Sequence, residues 1–195
     1  MGSRQLAEEE PAGSVKVRSF FGLPLPEAHR QALGPYLDEC ARMAHEFRWT
    51  PAANLHLTIR FLGHVQRSLA EGIADRLAAA AVNGFDMQLG PVGSFKRGQM
   101  ARVVWIGLSV GVTEIAELAA KVEVECELAG LEREERRFHA HLTLARARAR
   151  DGAPLPELGM PPVLESWRAD ELILYRSKLG RGGSIYEPMR RISLR

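Results

Sequence analysis

The sequence of 195 residues lacks the features that mark secreted and membrane proteins. It has two cysteines, Cys40 and Cys126, without a C-x-x-C pair, so we expect free thiols in a reducing cytoplasm rather than a disulfide framework. No apolar run is long enough to span a membrane, and the acidic residues 8–10 are incompatible with the basic and then apolar plan of a secretory signal. These absences predict a cytoplasmic globular protein with no membrane partner.

Two motifs of phosphate and metal chemistry are also missing. The G-x-x-x-x-G-K-[ST] loop that cradles nucleotide phosphates does not occur, and neither does the H-E-x-x-H pattern of zinc hydrolases. The net charge of +2 is too small to indicate a nucleic-acid partner by itself. Residues 133–195, however, carry 13 Lys or Arg against 8 Asp or Glu. This surplus is compatible with an ordinary solvated surface or with an anion-binding face.

A short phrase occurs twice in the sequence. Residues 55–62 read Leu-His-Leu-Thr-Ile-Arg-Phe-Leu, and residues 140–146 read Ala-His-Leu-Thr-Leu-Ala-Arg. On a strand, the His and Thr of each phrase point to one face and the aliphatic residues to the other. One copy is typical of a half-buried structural histidine. Two copies indicate two similar units whose histidines face each other across a groove.

Two opposed imidazoles suit acid–base chemistry at phosphorus. Hydrolysis of a phosphodiester needs water deprotonated on one side and a leaving oxygen protonated on the other, and histidine can do either near neutral pH. His56 and His141 are therefore candidate catalytic residues. Thr58 and Thr143 share their faces and are candidate donors to the non-bridging oxygens. Arg60, by alternation with His56, and Arg146, after the second phrase, are candidate phosphate ligands.

Strands and helices interleave along the chain, which predicts an α+β protein. The patterns predict a flexible leader at 1–14, a terminal hairpin joined at 180–183, and an irregular loop at 148–162. The capping box 68–71 is expected to open the second helix, and Gly34-Pro35 is expected to kink or divide the first. The expected strands are 15–21, 55–62, 85–89, 102–108, 140–146, 171–177 and 184–189; the expected helices are 26–47, 68–82 and 113–128; a basic loop is expected at 94–99.

The two phrases resemble the paired H-x-T-x motifs of the 2H phosphoesterase superfamily. Their surroundings resemble the LigT-like RNA 2′,3′-cyclic phosphodiesterases, historically called 2′-5′ RNA ligases, over about residues 15–195. The stretches that carry the resemblance are Phe20-Phe21-Gly22-Leu23-Pro24-Leu25-Pro26, Trp49, Pro51-Ala52-Ala53-Asn54-Leu55-His56, Phe61-Leu62-Gly63, Arg102-Val103-Val104-Trp105, Leu144-Ala145-Arg146 and Leu174-Tyr175-Arg176-Ser177.

The resemblance implies a bilobal α+β fold, with two similar sheet-and-helix lobes around a central cleft and a single phosphoesterase domain over 15–195. It implies metal-free hydrolysis of 2′,3′-cyclic phosphate ends of RNA, or of small cyclic nucleotides, without a cofactor. His56 would donate a proton to the leaving 3′ oxygen and His141 would accept one from water, leaving a 2′-phosphate. Thr58 and Thr143 would hold the phosphate.

One departure from the family concerns His139. Family members often carry Arg-Pro just before the second histidine, whereas this chain reads Phe138-His139-Ala140-His141. His139 shares a strand face with His141, and two such histidines can ligate zinc. A catalytic zinc site needs a third protein ligand, which the pattern does not supply. We therefore expect His139 to contact substrate or to cap the strand at the cleft rim, and we expect no metal site.

Three functions compete at this stage. The first is the metal-free cyclic phosphodiesterase, with reversible 2′-5′ ligation as a sub-case of the same chemistry. The second is a metal-dependent phosphohydrolase that uses His139 and His141. The third is an RNA-end-binding module without turnover. For each of them we expect a monomer.

Overall fold

Nine strands and three helices alternate along residues 15–180 and 183–195, the part of the chain that this computed structural model describes. The leader expected at 1–14 lies outside it. The strands are β1 (Lys16–Pro24), β2 (Phe47–Trp49), β3 (His56–Gln66), β4 (Phe85–Arg97), β5 (Met100–Val110), β6 (Leu142–Ala147), β7 (Trp167–Ala169), β8 (Glu171–Gly180) and β9 (Gly183–Ser193). The helices are α1 (Glu27–Met43), α2 (Arg67–Ala79) and α3 (Val112–Leu128), and Ala52–Asn54 form a short 3-10 turn.

Within the described residues the strands form one sheet with two similar halves. Its order is β7-β4-β5-β6-β3-β1-β8-β9, and β2 pairs with β6. One half is β6-β5-β4-β7 and the other is β3-β1-β8-β9. They meet where β3 pairs with β6, and the register there joins Leu57 to Leu142. The predicted α+β fold with two sheet-and-helix lobes is confirmed.

Each half of the sheet combines strands from distant parts of the chain. Strand β3 lies in one half, but β4, the next strand along the chain, pairs with β5 in the other half. Strand β6 also lies in that other half, but β8, which comes later in the chain, pairs with β1 in the half of β3. Asp170 alone separates β7 from β8, although these strands lie near opposite ends of the strand order. Two peptide units span at most about 7 Å. The sheet therefore curves back on itself.

The helices cover one face of this curved sheet. The aliphatic residues of the two repeated phrases, Leu57 and Leu142, are fully buried in the same core cluster as the inner faces of all three helices. The helix residues in that cluster include Leu33, Leu37, Ile73, Leu77, Ile115, Leu118 and Val122. Both cysteines are buried free thiols, as predicted. No helix among the described residues has the length and apolar content needed to cross a membrane.

The first two helices differ from their predicted forms. Of the predicted kink or division at Gly34-Pro35, the division is wrong, because α1 continues through Pro35; the helix ends at Met43, before the predicted 47. A proline removes one amide donor, but Leu33 and Tyr36 on either side are buried and hold the helix together. The predicted capping box is wrong, because α2 begins at Arg67, ahead of Ser68.

The remaining differences are the short strands β2 and β7, which were not predicted, and the lengths of the predicted strands. Strand β3 continues through Gly63, which was the predicted end, to Gln66. The loop predicted at 94–99 is wrong, since β4 runs to Arg97 and pairs with β5 in a long hairpin. Helix α3 and the terminal pairing of β8 with β9 agree with the predictions. The irregular stretch, predicted at 148–162, has neither helix nor strand from 154 to 166. Of the connection predicted at 180–183, residues 181 and 182 lie outside the described residues.

Candidate active site

The β3–β6 pairing brings the two histidine phrases side by side. Because these strands are antiparallel and Leu57 pairs with Leu142, the register sets His56 opposite Thr143 and Thr58 opposite His141. Residues opposite each other across such a pair have Cβ atoms about 5 Å apart. The leucines point into the core, so the histidines and threonines share the opposite face of the sheet. The two phrases thus form one site.

A β-bulge follows the threonine in each phrase. Gly22 pairs with Thr58 and Phe21 with Arg60, so Ile59 is the extra residue in β3. Trp105 pairs with Thr143 and Val104 with Ala145, so Leu144 is the extra residue in β6. A bulge reverses the alternation of side chains beyond it. The residues two positions after each bulge, Phe61 and Arg146, therefore return to the histidine face.

The two histidines are oriented by identical hydrogen bonds. The Nδ1–H of His56 donates to the carbonyl oxygen of Asn54 at 2.8 Å, and that of His141 donates to the carbonyl oxygen of His139 at 2.7 Å. A carbonyl only accepts, so each ring carries its proton on Nδ1 when neutral. Nε2 of each ring is left to accept or donate a proton at the site.

Both imidazoles are held in their neutral form in the unliganded protein. Desolvation by burial lowers the pKa of His56 to about 4, against the hydrogen bond to Asn54, and the charges of Arg146 and His141 lower it further. Desolvation also lowers the pKa of His141, and the charges of His139 and Arg146 add to it. The register of β3 with β6 places the two histidines on neighbouring strands, and the charge of Arg146 acts on the pKa of both.

Asn54 connects His56 to the terminal hairpin. Its backbone carbonyl accepts from the His56 ring, and its side-chain Nδ2 donates to the carbonyl oxygen of Ser184 at 2.8 Å. The 3-10 turn that ends at Asn54 therefore sets the histidine's orientation and fixes β9 over it. Sequence reasoning assigned no role to Asn54, since the contact joins residues 130 positions apart.

Three aromatic rings surround His56; we call Phe20, Tyr175 and Tyr186 the His56-side wall. Their ring centroids lie 4.8, 6.0 and 4.9 Å from that of His56. Strands β3 and β9 are three positions apart in the sheet, which corresponds to about 14 Å in a flat sheet. The short distance from Tyr186 to His56 therefore shows that the sheet curls toward the histidine face and makes a cleft there.

A second aromatic group lies beside His141; we call Phe95, Trp105 and His139 the His141-side wall. The Phe95 centroid is 5.1 Å from that of His141, and the Trp105 centroid is 6.4 Å away. Trp105 pairs with Thr143 in the sheet and so shares the cleft face. Its indole lies over Gly93, where a Cβ atom would come within 2.2 Å of the ring.

Thr58, Thr143 and Arg146 add further polar groups to the cleft. Among the described residues neither threonine hydroxyl has a hydrogen-bond partner, so both are available to a ligand. Arg146 is an exposed cation two residues beyond the bulge in the second phrase, and its charge lowers the pKa of both histidines. The cleft thus combines two imidazoles, two hydroxyls and a guanidinium.

Arg60 lies on the other face, and its predicted alternation with His56 is wrong because of the bulge at Ile59. Its Nε is 2.6 Å from Glu123 Oε2 on α3, and its Nη2 donates to the carbonyl oxygen of Glu132 at 2.6 Å. Nη1 donates to the carbonyl oxygen of Phe61 at 2.8 Å. These contacts occupy the guanidinium and tie β3 to the segment that leads to His141.

His139 lies at the rim of the cleft, where the sequence placed it. Its carbonyl orients His141, and its exposed ring packs edge-on against Trp105 at 4.9 Å and Phe95 at 5.3 Å. Among the described residues no three His, Cys, Asp or Glu side chains are grouped closely enough to hold a metal ion.

The fold and the repeated site define a class of phosphoesterases. The family model described as LigT like Phosphoesterase matches residues 23–105 and again residues 106–186, so each match contains one histidine phrase. The chain belongs to this family, as its sequence motifs indicated.

The chain is also similar to individual proteins with known names. The chain is 34% identical to the RNA 2′,3′-cyclic phosphodiesterase of Aeropyrum pernix over 70% of this chain and 80% of that protein. It is 30% identical to the RNA 2′,3′-cyclic phosphodiesterase of Escherichia coli over 91% of this chain and 96% of that protein. The structure of E. coli LigT complexed with 3′-AMP superposes with a TM-score of 0.80 at 27% identity, covering 92% of this chain and 99% of that one.

Proposed function

We propose that this protein is an RNA 2′,3′-cyclic phosphodiesterase that opens cyclic phosphate ends to a 2′-phosphate and a 3′-hydroxyl. The observation that carries the proposal is the convergence of His56 and His141, each with Nδ1 bound to a carbonyl and Nε2 free. The relatives named for this activity support the choice of substrate.

The proposed reaction divides the two proton transfers between the two histidines. His141 Nε2 takes a proton from water, and the water oxygen attacks phosphorus opposite the 3′ oxygen. The P–O3′ bond breaks, and His56 Nε2 gives its proton to that oxygen. General acid and base groups each contribute about 10²- to 10⁴-fold to such reactions. The donor and acceptor roles follow the family, since both rings are oriented alike.

Charge at phosphorus is stabilised by the cleft's hydroxyls and its guanidinium. Thr58 and Thr143 donate to the non-bridging oxygens, where their short side chains fix the donor position. The guanidinium of Arg146, whose charge acts on both histidines, compensates the negative charge of the phosphate. Arg60 has no such role in this proposal, because its guanidinium is bound to Glu123 and Glu132.

The proton that His56 donates must be acquired with the substrate. A pKa of about 4 leaves His56 neutral at pH 7 in the free protein. An anionic phosphate beside the ring favours the imidazolium and raises this pKa. Binding of the cyclic phosphate is therefore coupled to proton uptake, which makes His56 an acid only when there is an oxygen to protonate.

We further propose that the reaction needs no metal and that ligation is a variant of it. A 5′-hydroxyl that takes the place of water at His141 would form a 2′-5′ linkage, with the same bond broken and the same proton transfers. The alternatives are a metal-dependent hydrolase using His139 and His141, and a module that binds RNA ends without turnover.

One experiment separates these functions. Purified protein treated with EDTA is incubated with 2′,3′-cyclic AMP and with an oligonucleotide that ends in a cyclic phosphate, and the product isomer is identified by phosphorus NMR. The proposal predicts 2′-phosphate with chelator present. Loss of activity on chelation would favour the metal enzyme, binding without product the third function, and a 3′-phosphate would mean that P–O2′ is broken instead.

A further inference from the structure

Two arginines lie directly opposite each other on the histidine face of the sheet. The register of β2 with β6 pairs Arg48 with Arg146. Phe47 is buried in the core and Trp49 packs against it, so Arg48, which lies between them, points to the other face. Arg146 lies on that face as well, and both arginines are exposed. We call Arg48 and Arg146 the arginine pair.

The two charges of the arginine pair repel each other. Like charges directly opposite each other on neighbouring strands destabilise a sheet. Among residues 15–180 and 183–195, neither guanidinium of the pair forms an ion pair or a hydrogen bond. By contrast, Nη1 of exposed Arg97 lies 2.7 Å from Oδ1 of Asp151. An anion bound at the arginine pair would remove the repulsion that the protein leaves uncompensated.

Backbone hydrogen bonds on both sides of Arg48 fix its position. The amide of Thr50 donates to the carbonyl oxygen of Leu144 at 2.7 Å, and the amide of Arg148 donates to the carbonyl oxygen of Glu46 at 2.8 Å. Strand β2 is therefore held against β6 at both of its ends. Only the side chain of Arg48 has to become ordered when an anion binds.

The arginine pair is near the histidine that the proposed function assigns to the 3′ oxygen. Strands β2 and β3 pair with the same edge of β6, since β5 pairs with its other edge. Along β6, Arg146 follows Thr143 by three residues, which is about 10 Å of strand. One nucleoside and an arginine side chain together span this distance. With its 3′ oxygen at His56, a nucleoside can place a phosphate on its 5′ oxygen at Arg48.

We propose that Arg48 binds the phosphate on the 5′ oxygen of the nucleoside that carries the cyclic phosphate, while Arg146 binds the reacting phosphate. This inference rests on the proposed function, because it uses the position of the 3′ oxygen at His56. In RNA, the phosphate at Arg48 is the last internal phosphodiester before the cyclic end. The protein thus distinguishes an RNA end from a cyclic nucleotide without a 5′ phosphate, and it does so by charge rather than by base.

The test compares substrates that differ in the group on the 5′ oxygen. For wild-type protein, kcat/KM is measured with 2′,3′-cyclic AMP, with its 5′-phosphorylated form, and with a diadenosine oligonucleotide that ends in a cyclic phosphate. We call the ratio of each of the last two values to the first the phosphate preference, and we expect both ratios to exceed one. Arg48→Gln should lower them about tenfold, because one charge-assisted contact is lost. Arg48→Lys keeps the charge and should retain part of the preference.

Lys121→Gln is the matched control, because it also removes one positive charge. Lys121 is exposed on α3, in the helix layer that covers the opposite face of the sheet from the cleft. This variant should leave the phosphate preference unchanged. Raising the salt concentration from 50 to about 200 mM should lower the preference of wild type more than that of Arg48→Gln, since salt screens the exposed charge of Arg48.

The outcomes separate the site from the proposed function. If 2′,3′-cyclic AMP is hydrolysed, a wild-type preference of one, the same preference in Arg48→Gln, or a preference confined to the 5′-phosphorylated mononucleotide overturns the site at Arg48. If wild-type protein does not hydrolyse 2′,3′-cyclic AMP, the proposed function fails. Calorimetric binding of 3′-AMP and of adenosine 3′,5′-bisphosphate then decides the site. Tighter binding of the bisphosphate that is lost in Arg48→Gln supports it, and any other result overturns it.

Discussion

At the scale of single residues, the threonine hydroxyls are proposed to donate hydrogen bonds to the non-bridging phosphate oxygens. Thr58→Val keeps the shape of the side chain and removes its donor, so we expect kcat for 2′,3′-cyclic AMP to fall about a hundredfold, as for the loss of one oxyanion donor. Thr58→Ser keeps the donor and should stay within about tenfold of wild type. Equal rates for the valine and serine variants would remove Thr58 from phosphate binding.

The lowered histidine pKa values set the pH dependence of activity. The reaction needs one protonated and one neutral imidazole, and burial lowers the pKa of both rings below 6.5 in the free protein. We therefore expect kcat/KM to have its optimum below pH 6.5 and to fall about tenfold per pH unit well above it. A profile measured from pH 4.5 to 9 that rises through pH 8 would contradict this.

The same burial links His56 to folding stability. An unfolded chain binds a proton at His56 near pH 6.5, whereas the folded protein does so only near pH 4. Between these values the unfolded state holds more protons, so stability falls as pH falls. His56→Gln should reduce this loss between pH 6.5 and 4 by up to about 3 kcal/mol in urea unfolding. An unchanged pH dependence would show that His56 titrates normally.

At the scale of elements, the Arg60 contacts join β3 to α3 and to the segment before His141. The side chains of Arg60 and Glu123 are only 12% and 17% exposed. Arg60→Met leaves the Glu123 carboxylate without its cation, and we expect unfolding free energy to fall by about 2 kcal/mol. Adding Glu123→Gln should recover part of this loss. A large rise in KM without a change in stability would instead support Arg60 as a phosphate ligand.

The two β-bulges could not be predicted from the sequence. The alternation of a regular strand was sufficient to place His56 with Thr58 and His141 with Thr143. The extra residues Ile59 and Leu144 look like any aliphatic strand residue, so nothing in the sequence indicated that the alternation reverses after them. Arg60 was therefore assigned to the wrong face.

At the scale of the whole molecule, the fold class and the two motifs were predictable because each depends on local patterns. The aromatic walls were not, because they depend on the curl of the sheet and on the exchange of strands between its halves. Tyr186 reaches His56 only because β9 folds over the cleft, fixed by the contact between Asn54 and Ser184. Such long-range pairings leave no periodic signal in the sequence.

The central claim is that two imidazoles from two repeated phrases act on one phosphorus. The most direct measurement is single-turnover hydrolysis of 2′,3′-cyclic AMP by His56→Asn and by His141→Asn, each checked for native folding by circular dichroism. We predict that either variant is slower than wild type by about 10²- to 10⁴-fold. Hydrolysis at the wild-type rate by either folded variant would contradict the account.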